Sequence, residues 1–580
     1  MITTTSTMNE YVQELIQRID NRYSLDTSDM TNGDWICKNT HLRGRPFSFQ
    51  RYPFQEAIAN DMHPSMDVVK PSQVGLSEIQ IRKALAFITR NRGTNLIFTL
   101  PTDPMFERMS TTRVLPLVKE EKVFNLDNSD KPSRRQGLVQ VGSSFLFMTG
   151  AKEGDATSIS ADVVMNDEVD LTDQQMLALF ASRLQNSDWK IHQRFSTPTF
   201  VNFGIDLNFK SSDQHEYLLK CDACNHWQAP LFNEKFIELP GLSSDIRLVD
   251  INQELYDSGL LQPENSYVCC EKCRAPLDLG RTENREWVGR YMSRVNNRGY
   301  RVSPFSTDRL SPAYVLQQML NYKRQDHIRG WHNTVLGRAF TAANAQLSDD
   351  EIKACFTTQS LPPPVDRRGP TWIGVDMGLS CHLIVSQGTS TENQKTILFK
   401  VVPVDQLLEV IKDILDTYNV IGGGCDRHPY TPTANALFEI SNGRILPIEY
   451  RGEREMNFIK DPLNPERILY AQANRTILID LAAKVVRRGL IQFQGYGSQQ
   501  GLITEQLKDM IRDETPEKPA VWLKQTGNDH YFHALGFLTT GIKLRETFIQ
   551  LHSDLRSHMS VRAVTTEDSK TTINRFPRRP

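Results

Sequence analysis

A chain of 580 residues is long enough for about three or four domains, and its net charge of −2 gives no overall attraction to nucleic acid. With 39% hydrophobic and 23% charged residues, the composition is that of an ordinary soluble globular protein. The sequence has no apolar run of about 18 residues and no signal-peptide pattern, so a cytosolic protein without membrane spans is expected.

Residues 1–45 are polar and mixed, and we predict that they form a lead-in to the first domain. Residues 47–60, FSFQRYPFQEAIAN, then place aromatic side chains and Gln55 directly ahead of an apolar strand. An adenine ring needs stacking and hydrogen bonds to its edge, and these residue types supply both. Ordinary helix packing explains the segment equally well, so both interpretations stay open.

The stretch Val68–Glu78, VVKPSQVGLSE, has the order of a buried strand, a tight loop and the start of a helix. This order is typical of a phosphate-binding loop, where backbone N–H groups and a helix N-terminus hold phosphates. Compared with the pattern G-x-x-x-x-G-K-[ST], the chain supplies Gly75 and Ser77. It has Leu76 at the position of the lysine and Lys70 at that of the first glycine. Alone, the loop is equally compatible with a plain strand–turn–helix.

Two adjacent acids, Asp167 and Glu168, follow the short apolar strand at residues 163–165. Acids at the end of a buried strand cost free energy unless they have a partner or a task. In phosphate-loop ATPases the first acid holds Mg²⁺ and the second acts on the attacking water. A solvated acidic turn is the alternative, but the candidate phosphate loop upstream favours the functional interpretation.

Strands alternate with helices across residues 50–210, which predicts a parallel α/β sheet that binds ligands at the carboxyl ends of its strands. Lys70 and the acidic pair follow such strand ends, and so does Ser196. The hydroxyls of Ser196 and Thr197 are well placed to sense hydrolysis of a terminal phosphate, although two hydroxyls carry little information by themselves.

Five of the nine cysteines fall within residues 221–273. Two C-x-x-C pairs, Cys221/Cys224 and Cys270/Cys273, have the spacing of a tetrahedral four-thiolate zinc site. Four thiolates leave no open coordination position, so we predict a structural role. Cys269 could replace its neighbour as a ligand. His226 is a less favoured one.

Three consecutive prolines in SLPPPVDRRGP interrupt the pattern and predict a stiff linker at residues 361–370. Beyond it, Asp376 lies in a first strand, Asp426 ends the strand after the first helix, and Asp529 starts a late helix. This order of acids is that of an RNase H-like nuclease. Hard divalent cations prefer carboxylate oxygens, and two of them can activate water for phosphodiester cleavage.

The order of these motifs resembles that of the large subunit of a tailed-phage DNA-packaging terminase of the lambda type. The phrases that carry the resemblance extend over about residues 45–545: KPSQVGLSE, LPTD, VVMNDEVD, RFSTPTF, YLLKCDACNHWQAPLF, WHNTVLGRAF, GVDMG, NRTILIDLAAKVVRRGLIQF and NDHYFHALGF.

The resemblance implies roles for individual residues. Lys70 resembles a phosphate-loop lysine displaced to the start of the loop, and Glu168 resembles the catalytic base. The implied ATP site comprises Lys70, Gln73, Gly75, Ser77, Asp167, Gln55, Ser196 and Thr197, of which the last two would couple hydrolysis to movement. Asp376, Asp426 and Asp529 resemble the nuclease ligands for Mg²⁺ or Mn²⁺. An arginine finger is also implied, with Arg183 as the candidate and Arg194 and Arg82 as alternatives.

The predicted fold class is α/β, with an N-terminal P-loop ATPase built on a parallel sheet, a zinc-binding insert and a C-terminal RNase H-like nuclease. The expected divisions are a lead-in at 1–45, the ATPase domain at 46–215, a zinc-binding and connecting subdomain at 216–360, the linker at 361–370, the nuclease domain at 371–550 and a basic, flexible tail at 551–580.

The resemblance implies ATP-driven translocation of double-stranded DNA into a viral procapsid, with two-metal endonucleolytic cutting of concatemeric DNA. The implied cofactors are ATP, Mg²⁺ or Mn²⁺, and Zn²⁺. Implied partners are double-stranded DNA, a portal protein, a small terminase subunit and further copies of the chain in a ring on the procapsid, in the host cytoplasm and not in the mature virion. The alternatives are an RNase H-like recombinase or transposase with a zinc module, and a non-enzymatic zinc-stabilised virion or DNA-binding protein.

Overall fold

A computed structural model of the chain describes residues 29–124, 134–135, 137–342, 345–357, 366–452, 456–494, 499–515 and 518–545. The chain divides into two compact units, Met1–Thr341 and Ala342–Pro580. Most of the predicted lead-in, residues 361–365 of the predicted linker and the predicted tail lie outside the described residues. Within those residues, no helix is both long and apolar enough to cross a membrane.

The first unit is built on an 11-stranded sheet. Its longer strands are β1 (Ser65–Val69), β2 (Asn95–Leu100), β3 (Leu138–Val141), β4 (Ser144–Gly150), β5 (Val163–Asp167), β6 (Ile191–Ser196), β7 (His215–Lys220), β8 (Arg285–Gly289) and β9 (Arg298–Arg301). Their spatial order is β7-β9-β1-β6-β5-β2-β4-β3, and β8 also pairs with β7. The strands from β7 to β4 in this order are mutually parallel, so the predicted parallel α/β sheet is confirmed.

Helices cover the faces of this sheet. They are Asn32–Asn39, Phe54–Asn60, Leu76–Arg90, Asp103–Met109, Leu115–Glu120, Glu153–Ser158, Gln174–Ala181 and Gly204–Ser211. Because helices cover both faces of the sheet, almost every residue of β1, β2 and β5 is buried, instead of every second one. Helix Leu76–Arg90 lies in the largest core cluster of the unit, and Leu76 itself is buried. The unusual residue at the lysine position of the phosphate loop is thus a core residue.

A smaller core follows β7 in the same unit. It contains the paired short strands Ile237–Glu238 and Tyr267–Val268 and the helices Gln253–Asp257 and Pro312–Arg324, whereas the strand Trp227–Gln228 extends the large sheet beside β7. The buried Trp331 packs at its centre and donates its indole N–H to the carbonyl of Val315 at 3.0 Å. This core supports both the cysteine pairs and the segment that returns to the phosphate loop.

The second unit contains an eight-stranded sheet. Its strands are β10 (Thr371–Asp376), β11 (Ser380–Gln387), β12 (Gln394–Pro403), β13 (Val420–Asp426), β14 (Ile445–Tyr450), β15 (Met456–Asp461), β16 (Asn464–Ala473) and β17 (Ile491–Phe493). β18 (Met510–Thr515) and β19 (Lys518–Lys524) form a separate hairpin. The sheet order is β15-β16-β14-β13-β10-β11-β12-β17, with β10, β11 and β12 antiparallel and β13 parallel to β10. This is the expected RNase H-like arrangement.

Helices lie on both faces of the second sheet: Leu407–Thr417, Thr431–Ile440, Arg475–Arg487, Gln500–Lys508 and residues 530–545. The helix at 530–545 contacts the backbone of the sheet directly. A Cβ on Gly374 of β10 would overlap the Ala534 carbonyl oxygen, and one on Gly424 of β13 would lie 2.8 Å from that of Phe537. Only glycine permits this approach, which brings the start of the helix to the ends of β10 and β13.

Helix Asp349–Cys355 also belongs to the second unit, where it packs on helices Arg475–Arg487 and Gln500–Lys508. The two units therefore divide after Thr341, ahead of the three prolines that are conspicuous in the sequence.

Candidate functional sites

The first site lies at the carboxyl edge of the first sheet, where β6 separates β1 from β5. Lys70 follows β1 and reaches past the end of β6. Its ammonium nitrogen lies 2.6 Å from Asp167 Oδ1 and 3.0 Å from Glu168 Oε1. It also donates to Ser77 Oγ at 2.9 Å. The structure thus brings together the lysine from the start of the loop, the hydroxyl from its end and both acids.

This cluster is shielded from water, since the side chains of Lys70 and Asp167 are 5% and 1% exposed. Burial lowers the pKa of Lys70, but the charges of Asp167 and Glu168 outweigh that effect and raise it above its usual value. Burial raises the pKa of Glu168, and Lys70 offsets only part of the rise. A cation therefore persists beside a carboxylate that accepts a proton more readily than usual, as a general base requires.

The backbone of the loop is held in a conformation that needs particular residues. Gln73 and Gly75 have φ values of 63° and 75°, in the left-handed region. A Cβ on Gly75 would lie 2.7 Å from Gln55 Nε2, which donates to the Val74 carbonyl at 2.6 Å. Gln55 thus holds the backbone of the loop in place through this hydrogen bond. Whether it also contacts a base stays a prediction.

The segment WHNTVLGRAF, residues 331–340, lies at the C-terminal end of the first unit in sequence and packs against the phosphate loop. Ser72 N–H donates to the Thr334 carbonyl at 2.8 Å, and a Cβ on Gly337 would lie 2.7 Å from Pro71 N. Asn333 donates to the Thr199 carbonyl at 2.8 Å. The segment therefore connects the phosphate loop with the loop after β6, a role that the sequence did not indicate.

Ser196 and Thr197 connect Lys70 with Glu168. The Ser196 carbonyl accepts from Lys70 N–H at 3.0 Å, and its hydroxyl accepts from Asp170 N–H at 3.2 Å. Thr197 N–H donates to Glu168 Oε2 at 3.3 Å. Glu168 itself has a left-handed φ of 57°, an uncommon conformation for a side chain of this size. The backbone between β5 and β6 is thus shaped to aim this carboxylate at Lys70.

The three arginine-finger candidates already have partners within the chain. Arg194 pairs with the buried Asp67 at 2.7 Å, and Arg82 pairs with Glu78 at 2.9 Å. Arg183 donates to the Thr157 carbonyl at 3.2 Å and to Ser182 Oγ at 3.0 Å. The identity of the finger stays a prediction.

The second site is the cysteine cluster. The ligand atoms of Cys221, Cys224, Cys270 and Cys273 all lie within 4.8 Å of one another. The two pairs have the same backbone geometry: Asn225 and Arg274 are left-handed and donate to the carbonyls of Cys221 and Cys270 at 2.8 and 2.9 Å. An all-sulfur set on two such turns fits a tetrahedral thiophilic ion.

The two alternative ligands lie outside this set. The Cys269 thiol points to the Lys235 carbonyl at 3.8 Å, and His226 Nε2 lies 3.1 Å from Glu271. The structure therefore places Cys270, and not Cys269, in the cysteine cluster, a choice that the sequence left open.

The third site lies at the ends of β10 and β13. Asp376 is buried, and its Oδ2 lies 2.8 Å from His530 Nδ1. Burial, together with the charge of Asp376, raises the pKa of Asp426 to about 7. Two carboxyl groups close enough to resist joint ionisation are a place where divalent cations bind.

The third acid, Asp529, is fully buried at the start of the helix 530–545. Burial would raise its pKa, but His533 at 2.9 Å and Lys524 at 3.3 Å hold it well below the usual range. Tyr450 donates to or accepts from His533 Nδ1 at 2.8 Å, and burial and the charges of all three acids raise the pKa of its phenol. The charges of all three acids thus act on one phenol, but their carboxylate oxygens do not all lie within 4.8 Å of one another. The sequence places His533 one helical turn after Asp529, but it did not indicate Tyr450 as a neighbour.

The first unit has the architecture of a phosphate-loop ATPase, with a buried lysine between two acids, and the second has an RNase H-like fold. Residues 42–287 match the family model described as phage terminase large subunit gpA, ATPase domain. Over these residues the chain is similar to phage terminase large subunits, and the resemblance seen in the sequence is confirmed.

Among solved structures, the chain is similar to the large terminase of bacteriophage HK97, with 9% identity over 88% of this chain and 100% of that chain and a TM-score of 0.49. A large terminase from a thermophilic bacteriophage, in complex with ADP, gives 10% identity over 82% of this chain and 94% of that chain and a TM-score of 0.28. The large terminase nuclease of thermophilic phage G20c with bound magnesium has 12% identity over 34% of this chain and 98% of that chain and a TM-score of 0.24. No curated protein matches the chain significantly. At these values the similarities assign no residue roles.

Proposed function

We propose that the chain is the ATP-hydrolysing motor of viral DNA packaging and also the nuclease that cuts the packaged DNA. The observation that carries the ATPase assignment is the ammonium of Lys70, buried between Asp167 and Glu168 in a domain of the terminase ATPase family. The recombinase and the non-enzymatic alternatives give no reason for such a cluster.

In the proposed ATPase, the loop N–H groups and Lys70 bind the phosphates of ATP, which displace the ammonium from the acids. Asp167 and Ser77 would hold Mg²⁺, and Glu168 would take the proton of the attacking water. Bound Mg²⁺ supplies charge neutralisation for the phosphates. Ser196 and Thr197 would couple ATP hydrolysis to movement, because Ser196 is hydrogen-bonded to Lys70 and Thr197 to Glu168.

In the proposed nuclease, Asp376, Asp426 and Asp529 would hold the divalent ions. Their carboxylates supply the oxygen ligands that such ions prefer, and the lowered pKa of Asp529 keeps its carboxylate ionised. Two such ions, when bound, activate water and stabilise the leaving oxygen. The packaging partners follow from the family: double-stranded DNA, a portal protein, a small terminase subunit and a ring of copies of this chain, in the host cytoplasm.

The assignment is tested with ATPase and plasmid-cleavage assays on the full chain. We expect ATP hydrolysis that rises when linear duplex DNA and procapsids are added, and plasmid cleavage in Mg²⁺ or Mn²⁺. Cleavage without ATP hydrolysis under any of these conditions would favour the recombinase alternative. Absence of both activities would favour the non-enzymatic one.

We further propose that the four-cysteine cluster binds Zn²⁺ as a structural ion. Replacing Cys224 with serine is expected to remove zinc from the purified chain and to lower its thermal unfolding temperature, because a structural zinc ion contributes directly to folding free energy. Cys269→Ser is the matched control, since its thiol lies beside the cluster but outside it. Equal zinc content in the wild type and Cys224→Ser, measured by atomic emission, would contradict the assignment.

A further inference from the structure

Two histidines lie beside Asp376 that neither the sequence nor the family assignment gives a role. His382 is directly opposite Asp376 in the antiparallel pairing of β10 with β11, and His530 is the first residue of the helix 530–545. One ligand atom from each of the three side chains lies within 4.8 Å of the other two. The two imidazole rings stack with centroids 4.5 Å apart and an interplanar angle of 17°.

His382 is only 7% exposed, and its Nδ1 has no hydrogen-bond partner among the described residues. Its Nε2 approaches Gln506 Nε2 at 3.5 Å, the limit of a hydrogen bond. Gln506 is fixed by other contacts, since it accepts from Tyr531 N–H at 2.9 Å and donates to Asn528 at 3.0 Å. A buried ring nitrogen without a partner is costly, so a group bound at this place would relieve it.

We propose that Asp376, His382 and His530 form a mixed nitrogen and oxygen site for a divalent transition ion of the Mn²⁺ and Co²⁺ class. The site deepens the proposed nuclease function, because Asp376 would share this ion with the catalytic centre. Asp529 forms ion pairs with His533 and Lys524 and would remain, with Asp426, for a second ion.

The donor set decides the class of ion. Mg²⁺ is bound by oxygen and keeps several waters, whereas imidazole suits first-row transition ions. A site with two imidazoles and one carboxylate therefore binds Mn²⁺ or Co²⁺ more tightly than Mg²⁺. Mn²⁺ is the better probe, because thiolate ligands select softer ions and the four-cysteine cluster does not compete for it.

The first measurement needs no variant. Mn²⁺ is added to the nucleotide-free full chain, and the nitrogen hyperfine couplings of the bound ion are recorded by pulsed electron paramagnetic resonance. We expect couplings from two imidazoles. Bound Mn²⁺ that shows only oxygen and water ligands would overturn the proposal.

The second measurement titrates Mn²⁺ and Mg²⁺ into the His382→Gln and His530→Gln variants by calorimetry. Loss of an outer-shell partner already costs about 10–100-fold in metal affinity, so each variant should lose at least about tenfold for Mn²⁺ and much less for Mg²⁺. His41→Gln in the first unit is the control and should bind both ions as the wild type does.

The outcomes separate this site from the nuclease assignment. If both variants bind Mn²⁺ as the wild type does while the wild type cuts plasmid DNA, the histidine site is wrong and the nuclease assignment stands. If imidazole-bound Mn²⁺ is seen in a chain that does not cut DNA, the histidine site stands and the nuclease assignment is wrong.

Discussion

Replacing Lys70 with alanine is expected to abolish ATP turnover while leaving metal-dependent DNA cleavage. The ammonium of Lys70 is the only cation within 4 Å of Asp167 and Glu168 among the described residues, and it is the cation placed to bind a nucleotide phosphate. Loss of one preorganised donor to a developing charge typically costs about 10²–10³-fold in turnover. Steady-state phosphate release with and without duplex DNA measures the effect.

Glu168→Ala should lose turnover as well, for a different reason. Lys70 is still present to bind the nucleotide phosphates, so nucleotide binding persists while the proton acceptor is missing. Lys210→Ala, at an exposed lysine of the same unit, serves as the control and should hydrolyse ATP normally. Thermal unfolding accompanies each assay, because Lys70→Ala leaves two acids without their buried partner. Full ATPase activity in both Lys70→Ala and Glu168→Ala would refute the assignment.

The parts of this site that the sequence predicts are those set by local order. Lys70 directly follows β1, while Asp167 and Ser196 end β5 and β6, and parallel strands end at one edge of a sheet, so their proximity could be anticipated. The strand order was not available from local patterns. That β6 lies between β1 and β5 explains why only a long side chain starting at residue 70 spans the gap to both acids.

The contact of residues 331–340 with the phosphate loop could not be predicted from spacing. Thr334 and Ser72 lie far apart in the sequence and meet through backbone groups, which carry no residue-type signal. The hint in the sequence was Gly337, because glycine often marks a place where two backbones approach closely. In the structure its φ is 62°, in the left-handed region.

In the second unit, the three acids were found by their order, while the groups around them were not. His382 is six residues from Asp376, and only the antiparallel register of β10 and β11 shows that the two are direct neighbours. The glycine run at residues 422–424 was visible in the sequence but could not be interpreted. Its role follows from the helix 530–545, which rests on the backbone of the sheet at Gly424.

Replacing Asp376 with alanine is expected to have the opposite effect to Lys70→Ala: DNA cleavage is lost and ATP hydrolysis remains. Asp376 raises the pKa of Asp426 and contacts His530, so its carboxylate belongs both to the proposed acid site and to the proposed histidine site. A catalytic metal ion contributes several kcal/mol of transition-state stabilisation, which corresponds to a fall of about 10³-fold or more in cleavage rate.

Conversion of supercoiled plasmid to linear DNA in Mg²⁺ and in Mn²⁺ measures this loss, with phosphate release from ATP recorded on the same preparation. Asp405→Ala, an exposed acid of the same unit, is the control and should cut normally. Removing the negative charge of Asp376 also removes the main acidic neighbour of Asp426, so the pKa of Asp426 should fall toward its usual range, and nuclear magnetic resonance of that carboxyl reports it. Normal plasmid cleavage by Asp376→Ala would show that the three acids are misassigned, whatever the ATPase assay gives.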